Sequence, residues 1–158
     1  MTADEMNILH VVYSGPEEFQ EHILAMTSGL AMRNCTPIVA GPLERSFREA
    51  LSHNGVRWVR FIHSHETTGK ELKESVMALQ RLLSTLKPEI LHVHGLEMMQ
   101  LVAGIPHTIK PWPKIVLSLY ESPVDTKLTG LKAWLARRQT LQLFNQAAAV
   151  IVTSASEQ

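Results

Sequence analysis

The chain contains a single cysteine, Cys35, which excludes an internal disulfide and suits a reducing compartment. It has no excess of either charge, since 15 basic residues balance 15 acidic ones, so a polyanionic partner such as nucleic acid has no electrostatic support. No apolar run approaches the roughly 18–20 residues that a membrane span requires. The opening residues Met1-Thr2-Ala3-Asp4-Glu5 are acidic where a secretion signal is basic, so the cytoplasm is the expected location. Glycine is sparse where dinucleotide binding would need it. Only Gly15 follows the first apolar segment, and Glu17 and Glu18 then place negative charge where a pyrophosphate would lie. Gly69-Lys70 is followed by Glu71, not by the hydroxyl residue of a phosphate-cradling loop. Ser14 and Ser118 lack the flanking glycines of a nucleophile elbow. No cofactor is expected.

What is present is an alternation of apolar, β-branched runs with segments of helical spacing. Asn7–Tyr13, Cys35–Gly41, Val56–Ile62, Pro88–His94, Lys114–Tyr120 and Ala148–Thr153 read as six strands. Phe19, Ile23, Met26 and Leu30 form one helical stripe, entered through Ser14-Gly15-Pro16. Phe47 and Leu51 face inward from a second helix, which Asn54-Gly55 ends in a left-handed cap. A polar loop, His63–Lys70, leads to a long helix carrying Leu72, Val76, Leu79, Leu83 and Leu86. A fourth helix starts near Leu96 and is ended by Pro106, and a fifth runs from Leu128 to Gln146 with Leu131, Leu135, Leu141 and Phe144. Six strands linked by five helical crossovers make a parallel sheet and one α/β, Rossmann-like three-layer domain over residues 1–158. Arg57 and Arg60 point to opposite faces of the third strand, which fits a sheet edge. Right-handed crossovers then favour the order 3-2-1-4-5-6, with a crevice between Gly15 and His94-Gly95 where the order reverses.

Several polar side chains fall at that crevice. His92 and His94 share one face of the fourth strand, and His63 and His65 form a similar pair. Two imidazoles fall short of the three or four ligands of a zinc site, and Cys35 begins another strand, so no metal is expected. His92 reads as a buried, hydrogen-bonded imidazole, and His94 as a group at the strand end facing the crevice. Tyr120 and Glu121 close the fifth strand, where Glu121 is either a base or acceptor for a hydroxylated ligand or a solvated loop carboxylate. On the last helix Lys127, Lys132, Arg137 and Arg138 accompany Leu131, Trp134 and Leu135. That face is either the solvated side of a packed helix or a peripheral contact with an anionic membrane.

Three stretches resemble the N-terminal domain of family 4 glycosyltransferases of GT-B fold. They are Ile8 through Val39-Ala40-Gly41-Pro42 with Gly55-Val56, then Lys87-Pro88-Glu89-Ile90-Leu91-His92-Val93-His94, then Ala148-Ala149-Val150-Ile151-Val152-Thr153-Ser154. The resemblance implies a two-domain enzyme that moves a sugar from a nucleotide-sugar to a glycan or lipid acceptor with retention. The chain would be the acceptor-side half, with the donor held mainly by a second domain, and no transfer is expected of it alone. Substrate contacts implied are Ser14, Gly15, His94, Gly95, Tyr120 and Glu121. Two positions depart from the family pattern: Ser14-Gly15-Pro16 stands where two glycines are common, and Tyr120 where a histidine is frequent. A non-catalytic binding domain, or half of a sugar-nucleotide epimerase, are the alternatives.

Overall fold

The computed structural model describes residues 5–13, 15–61, 69–120 and 130–152, with residues 130–136 described as backbone only. Strand β1 (Met6–Val11) leads to α1 (Glu17–Ala31), β2 (Cys35–Gly41), α2 (Arg45–His53) and β3 (Arg57–Arg60). After α3 (Gly69–Leu86) come β4 (Ile90–His94), α4 (Leu96–Ala103), β5 (Lys114–Leu119), α5 (Gly130–Phe144) and β6 (Ala149–Val152). All six expected strands form, and the sheet is parallel in the order β3-β2-β1-β4-β5-β6. The third strand is an edge, with Arg57 and Arg60 both exposed. Between them Trp58 is covered by α2: its indole N–H donates to Ser52 Oγ at 2.9 Å, and the Arg48 guanidinium lies 5.1 Å from its ring centre.

β2 spans its whole apolar run, whereas the other strands are shorter than theirs because pairing stops before hydrophobicity does. Val12 and Tyr13 lie beyond the end of β1, although the Val12 N–H still reaches the Ala40 carbonyl at 2.9 Å. Pro16 occupies the position before α1 and not its first turn. Gly69 and Lys70 already belong to α3, and the rest of the expected loop before it, with His63 and His65, lies outside the described residues. The second helix ends as expected, with Gly55 at φ +70° and the Asn54 amide donating to the Ala50 carbonyl at 2.9 Å. In α5, Leu143 turns to the core and Phe144 packs against it, while Leu141 is 62% exposed. Arg137 and Arg138 are exposed, and the side chains of Leu131, Lys132, Trp134 and Leu135, with Lys127, lie outside the described residues. No helix among the described residues is long and apolar enough to cross a membrane.

Parallel sheets need cover on both faces, and the alternation of side chains along each strand supplies two apolar layers. One layer joins Leu9, Val11, Leu91, Val93, Ile115 and Leu117 to Leu79, Leu83, Met98, Met99, Val102 and Leu143 of α3, α4 and α5. The other joins Val12 and Val39 to Ile23, Phe47 and Leu51 of α1 and α2. The residues alternating with Leu9, Val11, Leu91 and Val93 are therefore on the α1 side, and among them are three histidines.

Candidate functional site

Strands β1 and β4 run side by side at the middle of the sheet, pairing His10 with His92 and Val11 with Val93. In a parallel pair such neighbours point to the same face, and His94, two residues on, points there too. All three imidazoles are buried, at 0% (His10), 6% (His92) and 3% (His94) exposure. The His92 and His94 rings stack with centres 4.1 Å apart, and His10 lies 5.0 Å from His92. Hydrogen bonds organise them. His10 Nδ1 and His94 Nε2 share one at 3.2 Å, His94 Nδ1 meets the Tyr120 hydroxyl at 2.7 Å, and His92 Nε2 meets Ser118 Oγ at 2.7 Å. His10 Nε2 is buried without a partner.

Burial dominates the protonation of this group. Desolvation, reinforced by its neighbour His92, pushes His10 down from 6.5 to about 3. Desolvation, with His22 adding to it, pushes His92 down to about 4. His94 is lowered well below its usual value by burial first, then by His92, His10 and His22. Burial raises the Tyr120 phenol to about 12, against an opposing hydrogen bond from Ser118. At neutral pH the trio is therefore uncharged and Tyr120 keeps its proton. The arrangement holds a hydroxyl in place and is poorly suited to giving up or taking protons itself.

Gly95 follows β4 and precedes α4 with φ 92° and ψ 159°, a region open essentially to glycine alone. Its N–H donates to the Ser118 carbonyl at 2.9 Å, which ties the end of β4 to β5. A Cβ built there meets nothing within 4 Å, so conformation alone requires glycine. Gly95→Ala should cost about 1–3 kcal/mol in urea unfolding; an unchanged midpoint would show that the strand end relaxes without penalty.

Of the expected contacts, Gly15, His94, Gly95 and Tyr120 lie among the described residues, and Ser14 and Glu121 outside them. The structure brings His94, Gly95 and Tyr120 together but puts Phe19 against Gly15. A Cβ on Gly15 would approach Phe19 Cδ1 to 2.5 Å. The Phe19 ring in turn stands edge-on to Tyr120 at 4.9 Å and to His94 at 6.1 Å. The Phe19 ring thus borders Gly15 and Tyr120, and the half-buried Tyr120 is the more accessible end of the hydrogen-bonded chain. His10 and Phe19 were not among the residues expected at the site. The signal for His10 was an imidazole in the middle of the apolar run Asn7–Tyr13.

A family model described as "Glycosyl transferase 4-like domain" matches residues 19–158. The chain belongs to this family. Sequence comparison with curated proteins gives no match. Among solved structures, this glycosyl transferase 4-like domain resembles Anabaena HepE in complex with UDP and glucose, at 15% identity and a TM-score of 0.66 over 92% of its residues. It resembles Acinetobacter baumannii MurG at 12% identity, TM-score 0.57 and 97% coverage. It resembles the UDP-GlcNAc 2-epimerase of Methanocaldococcus jannaschii at 12% identity, TM-score 0.57 and 94% coverage. It spans 37%, 47% and 40% of those three chains. At such identities the likeness establishes the fold, which is the GT-B N-terminal type.

Proposed function

We propose that this domain is the acceptor-side lobe of a two-lobed glycosyltransferase that moves a sugar from a nucleotide-sugar to a glycan or lipid hydroxyl, with retention. The observation that carries the reading is Tyr120, a protonated phenol at the end of β5 fixed by His94 at the end of β4. When His94 donates from Nδ1, the Tyr120 O–H is free to donate outward, which suits orienting a sugar hydroxyl. The likeness to a chain complexed with UDP and glucose supports a nucleotide-sugar donor, held mainly by the second lobe. Glu121 and Ser14 would complete the acceptor contacts with Gly15 and Gly95. A lipid acceptor would bring α5, with Arg137 and Arg138 exposed, to an anionic membrane surface.

Titration of the 158-residue chain with UDP-sugars should give no binding at micromolar concentrations. A micromolar dissociation constant would defeat the assignment of the donor to a second lobe. Joined to that lobe, Tyr120→Phe should raise the acceptor KM roughly tenfold, the loss of one ordinary hydrogen bond, and leave the donor KM unchanged. A second reading, a glycan-binding domain without catalysis, draws on the burial of His94 and the engagement of both its ring nitrogens. It predicts acceptor binding with no transfer even when both lobes are present.

A further inference from the structure

We propose that His10, His92 and His94 form a tri-histidine site for a divalent metal ion of the zinc class, built between the two central strands. One nitrogen from each ring can be chosen so that all three lie within 4.8 Å of one another. Tetrahedral zinc with Zn–N distances of about 2.0–2.1 Å needs nitrogens roughly 3.4 Å apart. The His10–His94 pair already meets that spacing at 3.2 Å, so His92 has the largest adjustment to make.

Two further observations favour metal over a plain hydrogen-bonded cluster. The first is the outer shell. Ligating histidines generally donate their other ring N–H to an oxygen, which fixes the tautomer. Ser118 Oγ stands at His92 Nε2 and Tyr120 OH at His94 Nδ1, both at 2.7 Å. Donation to those oxygens leaves His92 Nδ1 and His94 Nε2 without protons, with His94 Nε2 facing His10 Nδ1 at 3.2 Å. The second is the donor set. Three neutral imidazoles with no carboxylate suit zinc, cobalt, nickel or copper, and offer nothing that calcium or magnesium prefers. A bound ion would cross-link β1 to β4 and hold the ring that orients Tyr120. The site does not depend on the transferase reading, because its ligands are complete within this lobe.

The test uses the full chain without a histidine tag, stripped with chelator and titrated at pH 7.5 with Co²⁺, then Zn²⁺. The expected result is one equivalent bound with the strong visible absorption of tetrahedral Co²⁺, displaced by Zn²⁺ with a dissociation constant below about 1 μM. Zinc at 100 times that constant should raise Tm by roughly 5–10 °C. His10→Asn should weaken binding at least about 100-fold. A companion variant replaces His22, His53, His63, His65 and His107 by Gln and Cys35 by Ser, and should bind as the parent does. Absence of binding up to about 100 μM overturns the proposal, as does binding that survives His10→Asn. If His10→Asn does not fold, the companion variant decides: retained affinity supports the site, and lost affinity assigns the ion to the surface.

Discussion

In chelator-containing buffer the domain should lose about 4 kcal/mol or more of its stability between pH 7 and 5, before most of its carboxylates are protonated. The folded chain keeps His10 and His92 neutral down to about 3 and about 4, whereas the unfolded chain protonates them near 6.5. Below 6.5 the unfolded state therefore binds more protons, and stability falls with falling pH at up to about 1.4 kcal/mol per pH unit per histidine. At pH 5 those two residues together cost about 4 kcal/mol relative to pH 7. His94, lowered in the same direction, adds to the loss. Against a typical domain stability of about 5–15 kcal/mol, that is a large share, and most of it at the lower end of the range. Urea titrations at pH 8, 7, 6 and 5 should show a plateau from 8 to 7 and a steep decline below. A flat profile down to pH 5 would mean that the trio is charged or solvated in the folded state.

Much of this core was readable from residue type, because a parallel sheet writes its centre as apolar runs and its edge as charge on both faces. Arg57 and Arg60 placed β3 at the edge, and Pro88–His94 placed β4 in the middle. What the one-dimensional pattern lacks is register. His10 and His92 are 82 residues apart in sequence, and only the pairing of β1 with β4 sets them abreast. Each alone reads as a tolerated polar residue in an apolar strand; together they make a cluster with different chemistry. Phe19 shows the same limit in another form. Its helical spacing marks it as a core residue, and nothing in that spacing says that the ring turns to the end of the sheet, against Gly15 on one side and Tyr120 on the other. Leu141 and Leu143 were indistinguishable for a related reason: near the end of α5 a rotation of the helix by a fraction of a turn decides which one meets the sheet.

The same substitution at two glycines should move stability in opposite directions, because one side chain has space and the other meets backbone. Gly29 lies inside α1, and a Cβ there meets nothing within 4 Å. Gly29→Ala should add about 0.5–1 kcal/mol by removing backbone freedom from the unfolded chain and improving helix propensity. Gly41 ends β2, where a Cβ would run into the Val12 carbonyl oxygen and come within 2.9 Å of Val12 Cγ2. A side chain could swing aside, but that carbonyl belongs to the backbone leaving β1, and the Gly41 carbonyl itself accepts the Phe61 N–H at 3.2 Å. Relief requires moving β1 and β2 apart where both are paired, so Gly41→Ala should cost about 3 kcal/mol, the upper end of ordinary overpacking. The two variants should thus differ by roughly 3–4 kcal/mol in urea unfolding at pH 7.5. Near-equal midpoints would show that the exit of β1 moves freely. In that case the approach from Val12 and Tyr13 to Gly15 is not held rigidly enough to position an acceptor beside Tyr120, and the orientation of that phenol would rest on His94 alone.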